Sequence, residues 1–306
     1  MKKIKIPKIY FYKLLYPFTL FLYLLIGFFI GVVADKWSDG QLYNILLLRK
    51  EKTLAQIQEE AVPQNGYELK IIWKDLGQRM VKDGVIDEAK LAKVISGADT
   101  LPKEYKKYLD GSKQKIELTK ENSRFWLDVL WGLGLANKNK LLESGEMQQG
   151  GDPSQFASTG GYALGKEDPM TYYSKFSYLP LSDKQQKRVE EIAKGIYRPC
   201  CGNSTAFPDC NHGMAMLGLV ELLVYQNYST DNIYKTALAF NSMWFPQTYW
   251  DIAYHFEKNE KDYSKVPPQE ILSKTFSSAM GYAVIQREAS IVEWPGVQKS
   301  GGGCSA

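Results

Sequence analysis

MAMLGLVELLVYQ, residues 214–226, is apolar almost throughout and carries one acid, Glu221. As a helix these thirteen residues rise only about 20 Å, too short and, with Glu221 inside, too polar to cross a bilayer. A second run reads the same way: Leu118–Leu142 places Phe125, Trp126, Val129, Leu130, Leu133 and Leu135 at helical spacing, while Arg124 and Asp128 interrupt it. It is expected as a core helix and not as a membrane span. Around these two, short helices are expected over Asp87–Ser96 and Pro102–Leu109, separated by Gly97. Ser182-Asp183 caps Lys184–Gly195, with Gly195 as its stop, and Thr230-Asp231 caps Asn232–Trp244. Pro268–Glu288 has the pattern of a last amphipathic helix. Period-two alternation bounded by turn dipeptides is sparse. The expected fold class is mainly α.

The N-terminus adds a different element. Leu14–Ala34 is an uncharged run of 21 residues, about 31 Å as a helix, the hydrocarbon thickness of a bilayer. Lys2, Lys3, Lys5, Lys8 and Lys13 precede it and only Lys36 soon follows, so the positive-inside rule puts the N-terminus in the cytoplasm and the chain from Asp35 onward outside it. Val32-Val33-Ala34 offers small residues to a signal peptidase, but the run exceeds the usual apolar length of about 7–15 residues, which favours a retained signal-anchor. A mean hydropathy of -0.32 excludes a polytopic membrane protein. The net charge of +4 comes from 38 basic and 34 acidic residues. Removing the five lysines before residue 14 leaves 33 against 34, and no basic surface for nucleic acid.

The expected organisation is a cytoplasmic tail 1–13, a transmembrane anchor 14–34, a helical lobe 35–143, an irregular insertion 144–181, a second helical lobe 182–299 and a short tail 300–306 bearing Cys304. Gln41–Ala61 is amphipathic and reads as a stalk ended by Pro63, Asn65 and Gly66. Residues 144–181 are rich in Gly, Ser, Gln and Pro, yet Tyr172, Tyr173, Phe176 and Tyr178 argue for order.

Three of the four cysteines and one of the two histidines fall between Cys200 and His212. Zinc, copper(I) and iron–sulfur centres are held by such thiolates and imidazoles, usually four together. Cys200, Cys201, Cys210 and His212 form the candidate set, with Cys304 able to replace any member. Adjacent cysteines diverge unless the backbone bends sharply, and Pro199 and Gly202 permit the bend. Outside the cytoplasm disulfides also form, and four cysteines pair in three ways. Cys210 stands just before the apolar helix, where the dipole lowers a thiol pKa, so Cys201 and Cys210 are the candidates for thiol chemistry. A Cys200–Cys201 bridge would be strained and labile. A plain Cys201–Cys210 disulfide, with His212 capping the next helix, is the structural alternative. Zinc is the default ion for mixed thiolate and imidazole ligands, with copper(I) next.

Arg198, Cys201, Asn203, Asp209 and Asn211, followed by an apolar helix and then Thr230-Asp231-Asn232-Ile233, resemble the small periplasmic domain of CcmH-type cytochrome c maturation proteins. The order is also similar to small secreted domains with a P-C-Y-C-G-C motif, which are thought to bind metal. The resemblance covers about residues 196–245. It implies a membrane-tethered helical domain that handles client thiols, and from it only a thiol function for Cys201 is carried over. The family's C-x-x-C pair is here a vicinal pair, and a cysteine and a histidine stand where it has serine and a small residue.

His255, in the aromatic stretch 249–256, reads as a hydrogen-bonded structural histidine, with Asp251 four residues back to orient its ring. Glu221 is expected on a helix edge facing solvent, with a buried acid near the site as the alternative. The glycines of Trp131–Gly134 lack dinucleotide-binding spacing, and no hydrolase, zincin or paired-carboxylate signature occurs. The sequence thus points to a membrane-anchored, extracytoplasmic protein with a zinc or copper site in loop 199–213. The alternatives are a thiol–disulfide exchange or maturation factor acting on a thiol-bearing client, and an envelope scaffold with structural disulfides.

Overall fold

The computed structural model describes residues 9–37, 51–113, 115–149 and 151–296, and two compact units divide between Glu51 and Lys52. In the first, helix α1 (Ile9–Trp37) runs 29 residues, about 44 Å at 1.5 Å per residue. Its large apolar side chains from Leu20 to Val33 are exposed. Side chains here are described only for Thr19–Ala34 and Lys36. Counted over described residues, no helix is long and apolar enough to cross a membrane, and residues 14–18 of the expected anchor fall outside that count.

The second unit is mainly helical. Thr53 Oγ1 accepts from Gln56 N while the Gln56 side chain accepts from Thr53 N, a capping box that starts α2 (Leu54–Ala61). Residues 51–53 are not helical, and residues 41–50 of the expected stalk lie outside the described residues. Strands β1 (Tyr67–Ile72) and β2 (Lys115–Leu118) pair antiparallel, Tyr67 opposite Leu118 and Ile72 opposite Lys115, with a bulge between Glu68 and Ile72. Between them lie α3 (Leu76–Lys82), α4 (Glu88–Ser96) and α5 (Lys103–Leu109). Asp87 caps α4 through the amides of Ala89 and Lys90, and Gly97 closes it at φ 69°. Trp73, Tyr108, Phe125 and Trp126 interlock with ring centroids 4.7–5.7 Å apart, sealing this small sheet onto the core.

The remaining helices are α6 (Ser123–Ala136), α7 (Lys140–Ser144), α8 (Glu146–Gln149), α9 (Asp183–Lys194), α10 (Asn211–Tyr225), α11 (Thr230–Trp244), α12 (Pro246–Lys258), α13 (Pro268–Ile271), α14 (Lys274–Ser277) and α15 (Ala279–Ala289). Helices α6 and α10 make the most extensive contact of the unit, and α10 is buried from Gly213 through Val224. Glycine sets their distance. A Cβ on Gly134 would lie 2.1 Å from Met214 O, and one on Gly218 would lie 2.6 Å from Leu130 O and 2.7 Å from Gly134 N. The backbones therefore meet directly, and the Trp131–Gly134 glycines serve packing.

Four expectations are corrected by polar contacts, some tertiary and some local caps. The single helix over Leu118–Leu142 is replaced by β2, α6 and α7. The break is made by Asn137 and Asn139, whose amides both donate to Glu221, while Leu179 N donates to Asn137 Oδ1 at 2.9 Å and Leu141 N to Asn139 Oδ1 at 2.8 Å. For the same reason Glu221 faces no solvent: it is 0% exposed. The last helix is cut into α13, α14 and α15, because Ser277 Oγ donates to Ile271 O and Ser278 Oγ takes the amide of Gly281. Helix α11 starts two residues before the expected Asn232, with Ser229 as its cap accepting from Asn232 N.

Residues 151–181 cross the unit without a long helix. Tyr162, Leu164, Tyr172, Tyr178 and Leu179 are buried. Tyr162 Oη donates to Val85 O at 2.8 Å and Trp131 Nε1 to Ser158 O at 2.6 Å. Ser158 N donates in turn to Asp209 O at 3.3 Å, which ties this segment to the cysteine loop.

Candidate functional site

The loop between α9 and α10 is closed at its base by an antiparallel bridge of Tyr197 with Ser204 and by Thr205 N donating to Ile196 O at 2.8 Å. Its tip is a turn in which Cys201 N donates to Arg198 O at 3.4 Å. Pro199 occupies the second position, where its fixed φ suits a turn. This bend solves the vicinal-pair problem: the Cys200 and Cys201 sulfurs lie 3.5 Å apart on the same side. Cys210 approaches from the other strand of the loop, 3.6 Å from Cys200 and 3.3 Å from Cys201. All three are half-buried.

These spacings have a direct chemical reading. No pair stands at the disulfide bond length of about 2.05 Å. Thiolates around one tetrahedral ion, with metal–sulfur bonds of about 2.3 Å, stand about 3.8 Å apart, close to the triangle seen. That triangle has its centre about 2.0 Å from each sulfur. These three sulfurs could hold one soft ion, and among the described Cys, His, Asp and Glu side chains no fourth converges with them.

The electrostatics are arranged around Cys210. It is the N-cap of α10, and its sulfur accepts from Gly213 N at 3.4 Å. Arg198, 1% exposed, donates Nε to the same sulfur at 3.1 Å and spends its other donors on Asn203 O (2.9 Å), Phe207 O (3.2 Å) and Asp209 Oδ1 (2.6 Å). Asn203 Nδ2 holds the other Asp209 oxygen at 2.8 Å. Gly213 makes room for this: a Cβ there would lie 2.5 Å from the guanidinium carbon. Hydrogen bonds from Cys200 and Cys201, then Arg198, push the Cys210 thiol well below its usual range. Cys201, drawn down by Cys200 but raised more by Cys210 and by burial, stands at about 12. Cys200 is raised by donating to both neighbours. Of the three sulfurs, Cys210 is the one whose surroundings, the Arg198 guanidinium and the Gly213 amide, favour the thiolate. Burial works against the Arg198 charge, and the facing sulfurs of Cys210 and Cys201 more than restore it.

His212 does not join this group. Among the described residues the set converging within 4.8 Å here is Cys200, Cys201 and Cys210 alone. The His212 ring, on the second residue of α10, packs at 4.5 Å from Phe245 and 5.8 Å from Trp244, and burial lowers its pKa to about 4. Nor does it cap α10, since Cys210 does. Cys304 lies outside the described residues. Arg198 and Asp209 were legible only as parts of a resemblance. The signal for their role was a lone arginine and a lone acid flanking three thiols.

The other candidates resolve as structure. His255 Nδ1 pairs with Glu288, whereas Asp251 is turned away to Tyr282 Oη and Trp294 Nε1, each at 2.8 Å. Glu60, Glu257 and Asp262 also come together, but Lys52 Nζ sits among them, 3.0 Å from Glu257 and 2.7 Å from Asp262. Comparison with protein-family models, curated proteins and solved structures finds no match for this chain.

Proposed function

We propose that the chain is a single-pass membrane protein, anchored by residues 14–34 with the region from Asp35 onward outside the cytoplasm, and that Cys200, Cys201 and Cys210 bind one soft metal ion, zinc or copper(I). The observation that carries the metal reading is the near-equilateral sulfur triangle of 3.3, 3.5 and 3.6 Å, which one ion accounts for and a disulfide does not. Supporting the anchor are the uncharged run 14–34, the lysines before it and a helical backbone over Ile9–Trp37. The site differs from the four-ligand set of the sequence by losing His212.

The test is elemental analysis with thiol counting on the full chain in detergent. Stoichiometric metal, with three thiols that become reactive only after chelation and metal lost in Cys210→Ser, supports the reading. That variant keeps an N-cap oxygen, so the helix retains its cap. Absent metal together with two oxidised cysteines that resist mild reductant refutes it.

A second reading is favoured by one specific feature, the Cys210 sulfur at the N-cap of α10, 3.1 Å from Arg198 Nε and 3.3 Å from the Cys201 sulfur. In it Cys210 attacks a client disulfide, one client sulfur leaves as thiolate, and Cys201 then attacks Cys210. The client ends reduced and the protein holds a Cys201–Cys210 disulfide. The CcmH-type resemblance of residues 196–245 belongs with this reading, whose mark is a mixed disulfide trapped by Cys201→Ser.

A further inference from the structure

The cysteine cluster offers three like donors and no fourth. Cys200, Cys201 and Cys210 converge, and among the described residues no His, Asp or Glu side chain joins them. Zinc in a closed site takes four protein ligands, so three sulfurs hold it incompletely. The cluster is also short of positive charge. Arg198 faces the Cys210 sulfur at 3.1 Å, yet it is itself paired with Asp209 at 2.6 Å, and the two charges cancel. Three thiolates then keep a net negative charge around a divalent ion, and a larger one around a monovalent ion, on sulfurs that are half-buried, where uncompensated charge is costly. A trivalent centre leaves no net charge. The spacing points the same way. The sulfurs stand 3.3, 3.5 and 3.6 Å apart, each below the roughly 3.8 Å set by a tetrahedral ion with bonds of about 2.3 Å. A trivalent metalloid carries a lone pair, uses three ligands and closes its bond angles toward a right angle, which draws its sulfurs together.

We infer that Cys200, Cys201 and Cys210 together bind arsenic(III), offered as neutral arsenous acid, and hold it in preference to zinc(II). The inference rests on the three-sulfur reading above and goes beyond it in naming a trivalent metalloid as a ligand. Each arsenic–oxygen bond is exchanged for an arsenic–sulfur bond. The hydroxide leaves as water with the proton of the thiol that replaces it, or with a solvent proton where the sulfur is already a thiolate. Three waters are released, arsenic stays trivalent and no electron is transferred. A small neutral solute has a way in: a Cβ on Gly202, next to Cys201, would meet nothing within 4 Å, so the tip of the loop borders open space.

The test uses the full chain in detergent, reduced, anaerobic and given an equivalent of zinc(II). An equivalent of sodium arsenite is added, the chain is desalted, zinc and arsenic are counted, and X-ray absorption is recorded at the arsenic edge. The expected result is loss of the bound zinc, uptake of arsenic in a one-to-one ratio with the chain, and an arsenic shell made of sulfur alone. In Cys200→Ser an oxygen should replace one of those sulfurs, whereas Cys304→Ser should match the unaltered chain. Zinc retained with arsenic absent overturns the inference and leaves the metal site standing. Oxygen in the arsenic shell of the unaltered chain, or a sulfur lost in Cys304→Ser, overturns the assignment of all three loop sulfurs to arsenic. Arsenic held by three sulfurs in a chain that takes no zinc supports the inference and removes only zinc as an occupant. A reduced chain that holds neither overturns the underlying site and the inference with it.

Discussion

Gly134→Ala decides whether α6 and α10 meet backbone to backbone. In an ordinary helix interior, glycine to alanine stabilises by about 1 kcal/mol through backbone entropy and propensity. Here the new methyl would stand 2.1 Å from Met214 O and 3.0 Å from Gly218 N. Ordinary carbon contacts begin at about 3.5 Å, so the helices must part by more than 1 Å at the crossing. Opening of that size forfeits a quarter to a half of the dispersion energy of the contacts along the seam. Overpacking of this kind costs about 1–3 kcal/mol and sometimes more, and a clash with rigid backbone belongs at the upper end. The net expectation is destabilisation by about 2 kcal/mol. Urea denaturation of the full chain in detergent, followed by tryptophan fluorescence, reads this directly, since Trp126 and Trp131 lie on α6. A variant as stable as wild type, or more stable, would refute the close crossing.

The buried acid predicts a pH effect of defined sign. Burial holds the Glu221 carboxyl well above its ordinary 4.5, so above that pH the unfolded chain releases a proton that the native state keeps. Stability then falls by about 1.4 kcal/mol per pH unit until the native group ionises. Glu221→Gln should remove this slope, leaving the smaller one from Asp128, which burial raises to about 6; identical slopes in denaturation at pH 5, 6 and 7 would sink the assignment. If the three cysteines take up an ion, its binding should release protons and strengthen as pH rises, because the ligands bind as thiolates. Calorimetry in two buffers of different ionisation enthalpy counts them, and a count of none contradicts ligation by cysteine thiols. Arg198→Leu should cost about 1–3 kcal/mol, because it leaves two loop carbonyls without their donor and Asp209 held by Asn203 alone. Arg198→Lys should fold and raise the Cys210 pKa in an ultraviolet thiolate titration; an unmoved pKa would show that the arginine does not stabilise that sulfur.

Much of the helical content was legible because it is written in local chemistry. Asp87, Ser182 and Gly97 cap or stop their helices where side-chain oxygens and a left-handed glycine demand it. What the chain alone did not reveal depends on partners distant in sequence. Asn137 ends α6 because Glu221, 84 residues on, takes its amide, and no periodicity in Leu118–Leu142 carries that information. The same holds at the site. The concentration of cysteines was plain, as was the need for a bend that Pro199 supplies. The departure of His212 to Phe245 and Trp244, and the placement of Arg198 under Cys210 by a glycine at 213, are set by packing between elements.

The central claim is that three cysteine sulfurs hold one ion. X-ray absorption at the zinc and copper edges of the full chain, purified reduced in detergent, addresses it most directly. The expected spectrum is one ion per chain surrounded by sulfur at about 2.3 Å, with that shell lost in Cys210→Ser. A chain free of metal, or an ion surrounded mainly by nitrogen and oxygen, would contradict it.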